Sequence, residues 1–361
     1  MVTFDPARYD DIIENSRRWW AGELKRPLIQ IRLGGKDPGR PNPEPLLHTH
    51  EMTHDFSVAP ERIVDKLDYQ ISQMDYLGDA FPYTGINLGP GITSAWMGAL
   101  DVDIRDDTVW FFAAGEPEIA DVHFEFDGKH PLFERLKDVH RAANEFWNGA
   151  VQVSMTDLGG NLDLLNPYRP GEKLLLDLYD SPEEVKRLTW EGHKIWWRYF
   201  EALNTVMKPP NPGYLSWLPI FSDGPTYILQ CDFCYMIGPE MFDEFVKPEL
   251  TATCRRLAHS VYHLDGIGAL ANLDSLLSIE ELDCVQWVYG DGQPGVLNWL
   301  DVYKKVRDAG KLLYLHASPA EFETVVEHLG SSEGIILRID HWVWDGSIAE
   351  AGEFLAKYGM A

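Results

Sequence analysis

Imidazoles and carboxylates recur at the ends of apolar runs along this chain, and they are where chemistry is to be sought. In order they are Asp157, then Cys231, Asp232 and Cys234, then His263 and Asp265, then Asp291, His316, Asp340 and His341. Converging groups of these types supply acid/base catalysis or hold a metal ion. His263-Leu264-Asp265-Gly266 is the most suggestive stretch. Side chains two apart on a strand share a face, so His263 and Asp265 can reach one ion together. His316 and His341 end later runs and are the further candidate metal ligands. A nitrogen and oxygen donor set suits zinc, and also non-haem iron or manganese. Asp265 orienting His263 without any metal is the structural alternative.

Positioning these groups at one rim requires a regular frame. Short apolar, β-branched or aromatic runs alternate with helical patterns. The predicted strands are Leu28–Leu33, Ala150–Met155, Tyr214–Phe221, Ser260–His263, Cys284–Val288, Lys311–Leu315 and Gly334–Ile339. The predicted helices cover Pro239–His259, Trp299–Ala309, Pro319–Leu329 and Ile348–Tyr358. Such alternation means right-handed βαβ units and a parallel sheet. No G-x-G-x-x-G or G-x-x-x-x-G-K-[ST] motif is present, which disfavours a dinucleotide-binding or P-loop fold. Polar groups at successive strand ends favour an α/β fold of the (β/α)8 TIM-barrel type, whose site lies at that rim. Residues 1–60 are read as an N-terminal extension packing on the barrel, and 61–361 as the barrel itself.

Other features set bounds. The chain has 361 residues with 31 Lys and Arg against 57 Asp and Glu, a formal charge of −26. So acidic a surface disfavours nucleic acid and anionic membranes as partners. No apolar run approaches the length of a membrane span, roughly 18–20 residues. The first residues lack a basic and apolar leader, so a soluble cytoplasmic protein is expected. Four cysteines do not make a disulfide framework, and Cys231-Asp232-Phe233-Cys234 lacks the second pair of a zinc ribbon. Buried or cavity-lining thiols are expected there. Among 13 tryptophans, Trp217, Trp287 and Trp342 lie in or just after predicted strands and are the candidate substrate-gripping aromatics.

Two segments carry a resemblance. Met236-Ile237-Gly238-Pro239-Glu240-Met241-Phe242, continuing to Pro248, resembles a helix start of the uroporphyrinogen decarboxylase-like superfamily. Asp157-Leu158-Gly159-Gly160 and Asp177–Val185 resemble a second recurring pattern there. The similarity is diffuse elsewhere between residues 65 and 355 and weak in the first 60. It implies a (β/α)8 barrel and, from the corrinoid-linked methyltransferase branch, a zinc site of His and two Cys. The matching positions here are His263, Asp265 and, approximately, Asp340 or His341. The histidine matches and both thiolates are absent; a harder donor set favours an oxygen ligand. The resemblance therefore implies a metal-assisted enzyme, zinc being the first expectation. It would move a methyl group from a small O-methyl substrate to a corrinoid on a partner protein, with self-association left open. Asp157 and Asp232 would position substrate or handle protons. A decarboxylase-like lyase and a non-catalytic binding barrel are the alternatives. The arginine segment of the decarboxylases has no equivalent, and no local basic cavity is legible.

Overall fold

The computed structural model describes every residue except 99, 106, 107, 114, 116, 209 and 361. Eleven strands occur among the described residues: β1 (Leu28–Leu33), β2 (Asp75–Gly78), β3 (Tyr83–Gly85), β4 (Leu100–Ile104), β5 (Val109–Ala113), β6 (Gln152–Ser154), β7 (Thr226–Gln230), β8 (His259–Asp265), β9 (Cys284–Val288), β10 (Leu312–His316) and β11 (Ile335–Asp340). Seven form one sheet in the order β2-β1-β11-β10-β9-β8-β7, while β3 pairs with β6 and β4 with β5. All ladders of the large sheet are parallel except β1 with β2. The chain is thus a mixed α/β protein with a parallel sheet. Helices follow most of its strands, as that topology demands.

β7 and β11 are buried along their whole length, the pattern of strands covered on both faces. The apolar core runs from Ile29 and Ile31 through Val285 and Leu313 to Leu337 and packs beneath the helices. No helix among the described residues is long and apolar enough to cross a membrane.

Several expectations shift. The strand predicted at Tyr214–Phe221 is irregular, apart from one antiparallel bridge between Tyr214 and Ser222. Pro219 sits inside that run and cannot donate to a ladder. The true strand is Thr226–Gln230. The displaced segment wedges beside it: Met155 N donates to Leu215 O at 3.0 Å, and Ile228 N to Ser216 Oγ at 3.0 Å. Residues 1–60 are not an appendage, because β1 lies between β2 and β11 inside the sheet.

The helix expected over Pro239–His259 is interrupted by a π-turn at Phe242–Val246 before resuming at Lys247–Cys254. Pro248 has no N–H to bond back to residue 244, and its ring crowds that carbonyl, so the helix widens ahead of it. Pro319–Leu329 forms as predicted, with Ser318 and Glu321 as a reciprocal capping box.

Candidate functional site

The C-terminal ends of the parallel strands carry two groups of polar side chains with opposite electrostatic character. The first lies at β6, β7 and β8. Asp157 follows β6 in a tight turn: its Oδ1 accepts from Gly159 N at 2.8 Å, and Gln230 Nε2 on β7 donates to Oδ2 at 3.4 Å. Gly159 has φ +65°, and a Cβ there would come within 2.9 Å of Gly91 Cα. Only glycine admits that turn and that contact together. Burial pushes the Asp157 carboxyl up, against the pull of the Gly159 N–H and His263.

Asp163 accepts from the backbone N–H groups of Asp232 at 2.8 Å and Phe233 at 3.0 Å, which holds the Asp232 loop over it. The two carboxylates therefore crowd each other. Burial first, and the Asp232 charge second, push Asp163 up to about 8. Asp232, exposed at the cavity edge, is raised by the desolvation of the surrounding loops and by the Asp265 and Asp157 charges, with His263 opposing. Asp163 and Asp232 border a cavity of about 570 Å³ that Trp110, Phe112 and Met236 also line.

His263 sits at the end of β8. Gln286 on β9 faces it in register, and His263 Nδ1 donates to Gln286 Oε1 at 2.7 Å. That bond fixes the orientation of the ring and leaves Nε2 3.9 Å from Asp265 Oδ2. Trp217 stands edge-on to the His263 ring at 5.2 Å.

The second group lies at β1, β10 and β11. Arg338 Nε and Nη2 donate to both oxygens of Asp340 at 2.7 and 2.9 Å. Arg32 Nε donates to the same carboxylate at 2.5 Å. His316 Nε2 lies 3.3 Å from Asp340 Oδ2. Both guanidiniums face the Tyr83 ring, at 5.5 and 5.2 Å. Burial alone would raise Asp340, but His316, Arg338 and Arg32 together hold it far below the usual carboxylate range.

The predicted metal ligands do not assemble as one set. Among the described residues no three His, Cys, Asp or Glu side chains are arranged to hold a metal ion. His263 and Asp265 do share a face, as expected. His316 is drawn to Asp340 instead, and β9 intervenes, putting two strand spacings of about 4.8 Å between its backbone and β8. His341 packs by Gly34 and against Trp342, with ring centres 4.8 Å apart. Against a metal, His263 meets one requirement: its second ring nitrogen donates to an amide carbonyl, as metal-binding histidines require. With Asp265 it makes two donors, and a catalytic zinc takes three.

Among the predicted aromatics, Trp217 lines two adjoining cavities at the mouth. Trp342 is exposed at the rim near Arg32 and His316. Trp287 points into the core against Trp299, so on β9 it is Gln286 that meets His263. Cys231 and Cys234 are buried thiols, as expected. Sequence reasoning missed Arg32, Arg338, Tyr83, Asp163, Gln230 and Gln286. Arg32 and Arg338 were findable: one is near the end of a correctly placed strand, and the other shares its face with Asp340 two residues on.

No family model and no curated protein matches this chain in sequence. Among solved structures it resembles a methyltransferase from Methanosarcina mazei, with 11% identity, 91% of this chain and 92% of that one covered, and a TM-score of 0.60. An alignment with macrophomate synthase covers 65% of this chain and 76% of that one at 15% identity, but its TM-score of 0.22 carries no weight. At 11% identity the first likeness is one of fold.

Proposed function

We propose that this chain is a methyltransferase-like enzyme on a (β/α)8 barrel. β1, β3 and β6–β11 would be the staves, and segment 214–222 would fill the seam between β6 and β7. The reaction takes the methyl group of a small O-methyl compound and passes it to the cobalt of a corrinoid on a separate cytoplasmic protein. The corrinoid must arrive as Co(I), whose electron pair makes the new bond to carbon; the C–O bond breaks with its own pair staying on oxygen, and that oxygen must gain a proton.

The observation that carries this reading is the proton-holding carboxyl cluster beside a His263 ring fixed by Gln286, on a fold shared nearly end to end with a methyltransferase. A carboxyl that keeps its proton near neutral pH is a general acid for a departing alkoxide or phenolate. Asp232 borders the large cavity and Asp157 the one beside Trp217, so these two would meet the leaving oxygen. Asp163, bound to backbone, is a further proton-holding carboxyl on the cavity that Asp232 borders. A divalent metal, zinc first, would rest on His263 and Asp265 and supply Lewis acidity toward the substrate oxygen. Its remaining positions would fall to water and substrate. A lyase reading draws on the same raised Asp157, since protonating a carbanion after loss of CO₂ needs the same kind of acid.

The test incubates purified protein with reduced cobalamin and 4-methoxybenzoate, reading cobalamin methylation by its visible spectrum. Methylation by the native chain is expected, with about a 100-fold loss in His263→Ala and Asp232→Asn. No methylation, together with CO₂ release from a carboxylated substrate, would transfer the case to the lyase.

A further inference from the structure

The second group at the mouth has no task in that chemistry, yet its composition is unusual for a chain of formal charge −26. Two guanidiniums converge on the single carboxylate of Asp340, leaving one positive charge in excess. Arg338 and Asp340 are 4% and 1% exposed, and the Arg32 side chain that carries the excess is 17% exposed, so the charge is largely withdrawn from bulk water. Burying an uncompensated cation is costly unless an anion joins it.

Arg32 shows where an anion would go. Only its Nε is used, on Asp340; Nη1 and Nη2 make no hydrogen bond among the described residues. Arg32 lines a cavity of about 290 Å³ with Tyr76, Tyr83, Gln70 and Trp217. A guanidinium edge with free N–H groups matches a carboxylate in two-pronged fashion. The aromatic walls suit an apolar, flat body attached to it. This cavity shares Gly85 and Trp217 with a second one, of about 230 Å³, that reaches Asp157. Trp217 in turn touches the His263 ring. The cationic and the proton-holding groups are therefore two ends of one small-molecule cleft.

We propose that Arg32, held by Asp340 and backed by Arg338, forms a carboxylate-binding subsite that orients the substrate. The anionic end of a small aromatic carboxylate sits on Arg32 between Tyr83 and Trp217, and its methylated end reaches toward Asp157 and His263. The orientation of the methyl group rests on the function proposed above; the anion site stands on its own geometry.

Binding without any methyl acceptor separates the two. Calorimetry on the full chain compares 4-methoxybenzoate with its neutral counterpart, 4-methoxybenzamide. The acid is expected to bind about 10–100-fold tighter than the amide, and Arg32→Gln to remove that preference while leaving amide binding intact. Equal affinities in the native chain overturn the subsite, whether or not Arg32→Gln folds. So does a preference that survives in folded Arg32→Gln. Inorganic phosphate, added as competitor, is expected to displace the acid weakly; displacement at lower concentration than the acid itself requires assigns the site to phosphate and overturns the carboxylate. Acid preference without methylation in the cobalamin assay keeps the subsite and removes the methyl-transfer reading. Methylation with equal acid and amide binding does the reverse.

Discussion

Asp340 ends β11 of the seven-stranded sheet and Asp163 lies in the turn after β6, and the protons of these two aspartates behave in opposite ways. Asp340 is buried between Arg338 and Arg32, so its negative charge is compensated and the proton is expelled. Asp163 has backbone N–H groups and a second carboxylate for neighbours, with no guanidinium near enough to pair with it among the described residues. Desolvation then wins and the proton stays. Burial pushes both carboxyls up; only at Asp340 do fixed positive charges override it. One end of the mouth is thereby suited to holding an anion, and the other to giving up a proton.

The comparison breaks most visibly at Arg338. Arg338→Leu leaves Asp340 buried with half its compensation, and should cost about 3–5 kcal/mol in a urea unfolding experiment. Asp163→Asn should cost far less under the same conditions at neutral pH. Equal losses would mean that the two aspartates are held alike.

Next in size is Gln286→Leu, which frees the His263 ring to turn and change tautomer. Cobalamin methylation should fall about 10–100-fold while the unfolding midpoint stays nearly fixed. A variant as active as the native chain would show that the Gln286 bond does not matter to His263.

The pH dependence of stability sharpens the contrast further. Asp163 binds its proton more tightly folded than unfolded. Its contribution is full below the unfolded value of about 4 and is lost as pH climbs toward about 8. Asp340 does the opposite: its contribution is present above about pH 4 and is lost on acidification below that. Stability measured from pH 5 to 8 should therefore fall less steeply in Asp163→Asn than in the native chain, by at most about 1.4 kcal/mol per pH unit. Identical slopes would remove the raised Asp163 from the account.

Much of the frame was legible because strand ends are marked by period and punctuation. Leu28–Leu33 and Cys284–Val288 carry continuous apolar runs and were placed to the residue. The run at Tyr214–Phe221 misled because its apolar content outweighed the breaker Pro219, while the shorter Thr226–Gln230 passed unnoticed. At the site, the His263 and Asp265 pairing followed from side-chain alternation alone. The separation of His316 did not, because it depends on Asp340 competing for the imidazole across a fold that brings β1, β10 and β11 together. Each arginine of the cationic pocket could be read from its strand position, but not their meeting: Arg32 and Arg338 are 306 residues apart and come together only through strand pairing.

The carboxyl protons can be observed directly by ¹³C NMR of the aspartate side chains across a pH titration. The native chain should show a carboxyl still protonated at pH 6.5 that vanishes in Asp163→Asn, while the Asp340 signal stays ionised to the lowest pH at which the fold survives. A spectrum in which every aspartate is ionised at pH 6.5 would contradict the proton-holding end of the mouth, and with it the acid on which the proposed chemistry depends.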